Sequence, residues 1–135
     1  MELKLALEPE FMPVAVTFSE TAARLSDMGP HVTSMLALST EEVFLALCRT
    51  MQGAETTLSC HNLRYATDII FRFSQPPPDL RAFNITSSPD HESDDGLEKM
   101  GLFLASRACD QFGIRRLQGD KWEITLRKER QYPSV

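Results

Sequence analysis

The chain has 135 residues, which is enough for one domain with its own hydrophobic core and without stabilising disulfides or metals. It is 42% hydrophobic and 24% charged, and no apolar run approaches the ~20 residues that cross a bilayer, so we expect no membrane segment. The net charge of −5 and the scattered basic residues disfavour nucleic acid as the main partner, because binding phosphates requires a concentrated positive surface.

The first residues lack the basic segment and apolar run of a secretory signal, so we expect a cytoplasmic protein. Cys48, Cys60 and Cys109 are odd in number and widely spaced. This spacing predicts reduced thiols rather than a disulfide framework or a structural zinc site.

The N-terminal part predicts one strand and two helices. Residues 3–8 alternate between leucine and other residues, as in a half-buried strand. Apolar residues then recur at helical spacing from the region of Pro9 to Gly29, and again over residues 31–52. Residues 39–42 form a Ser-x-x-Glu pattern, so an alternative is a shorter second helix that begins there with a capping box.

The middle of the chain predicts a strand pair followed by a long loop. Residues 56–62 and 68–73 have strand composition and are expected to pair antiparallel. Residues 74–96 contain three consecutive prolines and an acidic run. Because proline interrupts both helices and sheets, this segment is predicted to be a loop.

The C-terminal part predicts a third helix and a hairpin. The helix covers residues 97–113, with Gly113 as its C-terminal signal. Residues 114–117 and 121–128 follow as hairpin strands, and residues 129–135 as a tail. The order of elements predicts a single α+β domain over residues 1–128, a two-layer α/β sandwich with helices on one face of a mostly antiparallel sheet.

Two short stretches carry a resemblance to a known family. Met100–Leu104, which reads Met-Gly-Leu-Phe-Leu, and Cys109–Phe112 resemble the C-terminal glycine box and following helix of the histidine-kinase-like ATPase (GHKL) superfamily. The branch that the chain resembles is that of the anti-sigma-factor serine kinases, and the order of elements agrees over nearly the whole chain. The resemblance implies the histidine-kinase-like ATPase fold, a cleft for ATP and magnesium, and a lid formed by residues 74–96.

The resemblance also identifies the positions of the magnesium site. Glu42 matches the family's catalytic glutamate, and Ala46 stands where an asparagine ligates magnesium. Shifting the register to Glu41 places Leu45 at the ligand position. Neither Ala46 nor Leu45 has the oxygen donor that magnesium requires.

The nucleotide-binding positions differ in the same way. Phe73 stands where an aspartate contacts adenine, and Gln75 and Pro77 replace the glycines that follow it. Lys99 replaces one glycine of the third box, and Gly101 matches the other. Because a phenyl ring accepts no such hydrogen bond, the resemblance implies a degenerate cleft at Glu42, Ala46, Phe73, Lys99 and Gly101, with no catalytic, cofactor-binding or metal-binding residues.

We therefore expect a pseudo-enzyme that acts as a regulatory, anti-sigma-factor-like interaction module without bound ATP or magnesium. The resemblance implies a protein partner, either a sigma factor or an anti-anti-sigma-like regulator, and a homodimer. Contacts are expected on the first two helices, near exposed residues such as Arg24 and Arg49. The alternative is an active serine/threonine kinase that uses ATP, magnesium and Glu42 as the general base.

Other chemically suggestive residues have simpler interpretations. Cys60 and His61 are adjacent on a predicted strand, so their side chains should point to opposite faces. Cys109 could meet His31 or His91 only through the tertiary fold. Trp122, at period two with apolar neighbours, is expected in the core.

Overall fold

The structure is a computed structural model that describes residues 1–74 and 107–130. A 3-10 turn at Pro9–Phe11 leads into the first helix. The helices and strands are β1 (Glu2–Ala6), α1 (Met12–Leu25), α2 (Pro30–Thr50), β2 (Glu55–Asn62), β3 (Ala66–Phe73), β4 (Gln111–Arg116) and β5 (Trp122–Glu129).

The strands form one five-stranded sheet in the order β1-β2-β3-β5-β4. Every neighbouring pair is antiparallel. The predicted α+β class is confirmed, and the arrangement of helices on one sheet face agrees with a two-layer sandwich.

The core lies between the helices and one face of the sheet, which we call the inner face. Ile69 and Phe71 of β3 and Ile124 of β5 point to this face at intervals of two and are fully buried. They pack in one cluster with Phe44 and Leu47 of α2. Burying a side chain of this size contributes roughly 1.5–3 kcal/mol, so the alternation in the sequence determines which face carries the helices.

The two helices form a hairpin with a closely packed interface. Ala15, Ser19 and Ala22 of α1 are fully buried, and their small side chains allow α2 to approach. The Thr40 hydroxyl of α2 donates a buried hydrogen bond of 2.9 Å to the Ser19 oxygen. The polar residues at this interface therefore satisfy each other across the two helices.

Helix α2 is continuous through the proposed capping box. Ser39 lies in its middle and donates its hydroxyl to the Met35 carbonyl at 2.9 Å, one turn earlier. The alternative of a shorter helix beginning at residues 39–42 is therefore wrong. The apolar stripe on both sides of this segment, which packs on the core, favours one uninterrupted helix.

Strand β4 occupies residues that were predicted to end the third helix. Residues 107 and 108 are helical, and the strand begins at Gln111. Gly113 is not a helix cap, since it pairs with Thr125 within the sheet. Phe112 and Ile114 on either side pack against the core, so pairing with β5 overrides the helical spacing. The predicted loop over residues 74–96 lies outside the described residues apart from Ser74, and so do residues 97–106 of the predicted third helix.

The opposite, outer face of the sheet carries ion pairs between strands. Arg127 donates to both carboxylate oxygens of Asp68, at 2.7 and 2.8 Å. Arg72 and Arg115 each donate to one oxygen of Glu123, both at 3.0 Å. The side chains of Asp68 and Glu123 are each 8% exposed, so both carboxylates are buried with their partners in place.

Candidate functional site

The predicted magnesium-site residues lie on consecutive turns of α2. Glu42 is half-buried, and Ala46 is 3% exposed, so the side chain at the ligand position is a buried methyl group. A methyl group cannot coordinate a hard cation. Among the described residues, no group of three or more histidine, cysteine, aspartate or glutamate side chains could hold a metal ion.

Phe73 ends β3 directly opposite Trp122 of β5. It is 4% exposed and belongs to the hydrophobic core, and Trp122 packs partly buried against the same core. Trp122 was predicted to lie in the core, and the structure places it at the border of the core, packed against it but only partly buried. The aromatic ring at position 73 offers packing rather than a hydrogen bond to a base.

The remaining predicted cleft residues, Lys99 and Gly101, lie outside the described residues, as do Gln75 and Pro77. Of the five predicted cleft positions, the described residues include Glu42, Ala46 and Phe73.

Glu42 lies in an environment that favours its neutral form. Partial burial is the main cause, and the nearby negative charge of Glu41 adds to it, so the pKa of Glu42 is raised above its ordinary value. Arg49 opposes this shift. A carboxyl group with a raised pKa takes up a proton more readily than a solvated one, which is the property that a general base near neutral pH requires.

The cysteines do not form a nucleophilic site. The Cys109 thiol donates to the Ser39 hydroxyl oxygen at 3.2 Å, so its partner is Ser39 rather than His31. Burial raises the pKa of Cys109 to about 11, and burial likewise raises the pKa of Cys48 to about 11. Both thiols therefore remain protonated at neutral pH and act as small core groups. His91 lies outside the described residues.

Cys60 and His61 point to opposite faces of β2, as predicted. Cys60 is 7% exposed on the inner face, and its thiol donates to the Asn62 side-chain oxygen at 3.2 Å. His61 is exposed on the outer face. No thiolate-imidazole pair can form between adjacent residues in this geometry.

A groove on the outside of the helix layer is the feature that the sequence reasoning missed. This helix groove has a volume of about 690 Å³ and lies between α1 and α2. Its sequence signal is a second stripe on α2, beside the core stripe, in which Ser34, Leu38 and Glu41 recur at steps of three and four. The residues that line it include Val16, Glu20, Arg24, Thr33, Ala37 and Leu38.

The helix groove combines apolar and charged groups. Leu38 is 38% exposed, and Val16 and Ala37 are partly buried beside it. Arg24 forms an ion pair of 3.1 Å with Glu20 one turn earlier on α1. Arg24 of α1, which was predicted to be exposed, is exposed, as is Arg49 of α2.

A scan against protein-family models and a search of curated protein sequences found no match to this chain. Within the described parts of the chain, neither α1 nor α2 is both long and apolar enough to cross a lipid bilayer.

Proposed function

We propose that this domain is a regulatory protein-interaction module, a degenerate member of the histidine-kinase-like ATPase group that binds a protein partner without hydrolysing ATP. The partner is a sigma factor or an anti-anti-sigma-like regulator of a cytoplasmic partner-switching system. The order of the described strands and helices is compatible with the resemblance, although Gln111 and Phe112, which were compared with a helix of the family, belong to β4. The helix groove is the observation that carries the interaction role.

The helix groove has the chemistry of a docking site for a protein segment. An exposed leucine beside small residues can accept an apolar side chain, and its rim carries Glu20, Glu41 and Asp27 against one arginine, Arg24. This rim is net negative, so it favours a partner segment that is apolar on one side and basic at its edges. Steering by the charged rim raises the rate of association, and the apolar floor supplies most of the affinity.

The loss of nucleotide chemistry rests on two side chains. Ala46 supplies no ligand for magnesium, and Phe73 is part of the core at the position of the adenine-binding carboxylate. Restoring either function would require a polar group at a buried position, which is costly without a partner.

Filling the helix groove tests the interaction role. Ala37→Trp places a bulky side chain in the groove, whereas Thr57→Trp places the same side chain on the outer face of the sheet as the matched control. Both variants and the original chain are used to capture proteins from a native lysate, and the captured proteins are compared by quantitative mass spectrometry. We expect a specific protein to be lost with Ala37→Trp and retained with Thr57→Trp, and equal capture by all three would contradict the proposal.

Calorimetry with ATP and magnesium tests the nucleotide part of the proposal. We expect no heat of binding, because the side chains that would bind magnesium and the adenine base are missing. Micromolar binding that disappears in Glu42→Ala would overturn the pseudo-enzyme assignment.

The alternative function is an active serine/threonine kinase, and the environment of Glu42 is the observation that favours it. A half-buried carboxyl group with a raised pKa suits a general base. The test is transfer of phosphate from ATP, with magnesium, to the captured partner. A kinase would lose transfer in Glu42→Gln and keep it in the control Glu55→Gln, an exposed glutamate of β2, whereas the interaction module transfers none in any variant.

A further inference from the structure

A separate cavity lies on the outer face of the sheet, on the side opposite the helices. This outer-face cavity has a volume of about 400 Å³ and is bordered by residues of β2, β3, β4 and β5. The register of these strands arranges the side chains around it in three rows that run across the sheet. Neighbouring rows on one face are two residues apart along each strand, which separates them by about 7 Å.

The middle row forms the floor of the outer-face cavity and carries no charge. It consists of Ile70, Thr125 and Gly113, which stand opposite one another on β3, β5 and β4. A Cβ atom added to Gly113 would meet no atom within 4 Å, so the space above this end of the floor is open. The floor therefore leaves room for a ligand, with the threonine hydroxyl group at its centre.

The two flanking rows are charged, and their cations lie closer to solvent than their carboxylates. The side chains of both carboxylates are 8% exposed, whereas Arg72 is 41% and Arg115 is 70% exposed. A ligand that enters the cavity therefore meets guanidinium groups first. In order across the sheet, the rows are Arg72, Glu123 and Arg115 on one side of the floor, and His61, Asp68 and Arg127 on the other.

Glu123 has more positive charge beside it than its burial requires. Arg72 donates through Nε to one of its oxygens and Arg115 donates through Nη2 to the other, both at 3.0 Å. One guanidinium neutralises one carboxylate, so the second arginine is an excess cation. Each guanidinium has several N–H donors and uses one of them here, so most of these donors have no partner among the described residues.

The donors around the outer-face cavity suit carboxylates better than phosphates. Phosphate sites commonly use backbone amides at helix N-termini or in nests. Strands β3 and β5 are paired on both sides, so their amides are bonded within the sheet, and the cavity offers side-chain donors instead. The planar guanidinium matches a carboxylate, as the two bonds of 2.7 and 2.8 Å from Arg127 to Asp68 demonstrate.

We propose that the outer-face cavity binds a small organic acid that carries two or more carboxylate groups. One carboxylate accepts hydrogen bonds from Arg72 and Arg115 above the Thr125 hydroxyl, and a second faces the row of His61 and Arg127. A single carboxylate cannot contact both flanking rows, because each lies about 7 Å from the floor between them. In a chain with a net charge of −5, this local group of cations attracts anions to one face.

This inference does not rest on the proposed function. The helix groove lies between α1 and α2, and the outer-face cavity lies on the other side of the sheet. Ala37→Trp should affect capture of the protein partner and leave binding of the organic acid unchanged. Either proposal can therefore fail without the other.

Isothermal titration calorimetry with citrate at constant ionic strength tests the ligand class. Acetate and inorganic phosphate are the comparison anions. We expect citrate to bind at least about tenfold more tightly than either, because only citrate presents separate carboxylates to the two flanking rows. The amide NMR signals of Ile70, Gly113 and Thr125 should shift during the titration with citrate.

Arg115→Ala tests the excess cation, and we expect it to raise the dissociation constant for citrate about tenfold. Arg116→Ala is the matched control. Arg116 is the next residue of β4 and is 67% exposed, but its side chain belongs to the opposite face and pairs with Asp120. This control should leave the dissociation constant unchanged.

Gly113→Val tests the position of the ligand without removing a charge. The added side chain occupies the open space above the floor, and its Cβ atom meets no neighbouring atom, so the sheet can retain its structure. We expect this variant to weaken citrate binding about as much as Arg115→Ala does.

Circular dichroism establishes that each variant is folded before its affinity is measured. Absence of citrate binding, or citrate binding no tighter than that of acetate or phosphate, would overturn the proposal. So would citrate binding that is unchanged in Arg115→Ala and Gly113→Val, or that Arg116→Ala weakens equally.

Discussion

The inner and outer faces of the sheet belong to the same strands but are stabilised in different ways. On the inner face Phe71 and Ile124 are fully buried among apolar side chains. On the outer face the side chains of Asp68 and Glu123 are each 8% exposed and are paired with arginines. A buried apolar side chain needs only neighbours of complementary shape, whereas a buried carboxylate needs a specific partner in a specific geometry.

Of the changes on the inner face, removing the Phe71 side chain should destabilise the domain most. Phe71→Ala leaves a cavity in the centre of the core, and we expect the free energy of unfolding to fall by about 3–5 kcal/mol. Urea denaturation measures the loss. Thr125→Ala on the outer face is the comparison, and a loss there as large as that of Phe71→Ala would contradict the assignment of the two faces.

Of the changes on the outer face, removing one partner of the Asp68–Arg127 pair should destabilise the domain most. Arg127→Met leaves the Asp68 carboxylate buried without its bidentate donor, and we expect a loss of about 3 kcal/mol. The double variant Asp68→Val with Arg127→Met removes both charges and should recover most of that loss. Urea denaturation of the two variants gives the comparison, and a double variant less stable than Arg127→Met would show that the pair is not the cause.

Arg115 belongs to the second group of ion pairs on the outer face, in which it and Arg72 donate to Glu123. Its contribution to the free energy of unfolding should be much smaller. The Arg115 side chain is 70% exposed, and Glu123 keeps its hydrogen bond from Arg72 when Arg115 is replaced. We expect Arg115→Ala to cost less than about 1 kcal/mol, and the cost to shrink further at high salt. A salt-independent loss similar to that of Arg127→Met would mean that exposure does not control the strength of these pairs.

Glu42 sharpens the comparison because it is a half-buried carboxyl group in the helix layer that forms no ion pair with another described residue. Its raised pKa means that the folded state binds its proton more tightly than the unfolded state does. The ionisation of Glu42 therefore lowers the free energy of unfolding as the pH rises above the ordinary glutamate pKa of about 4.3. At lower pH this penalty is absent.

Glu42→Gln should raise the free energy of unfolding at pH 7, and this gain should disappear below pH ~4. This change in stability should be smaller than those of Phe71→Ala, Arg127→Met and Arg115→Ala, because the Glu42 carboxyl group is partly solvated. Glu41→Gln removes a neighbouring negative charge and should produce a smaller gain in the same direction. Thermal unfolding over a range of pH measures both, and a gain that grows towards acid pH would contradict the stated shift.

The regular elements were largely predictable, and the exceptions have a common cause. The alternation on β3 and β5 and the helical stripe of α2 are local patterns, so the sequence indicates them directly. Gly113 was wrongly predicted to end a helix, because a glycine after a helical stripe resembles a cap unless the pairing of its neighbours with β5 is known. The helix groove was missed because it forms only when α1 and α2 pack together.

By itself, the sequence determined which side chains of each strand point towards the core, because side-chain direction follows from spacing along the backbone. It did not determine which residues meet across the fold. Asp68 and Arg127 are 59 residues apart, and Ser39 and Cys109 are 70 residues apart. Only the register of the antiparallel sheet and the placement of α2 on its inner face bring these groups within hydrogen-bonding distance.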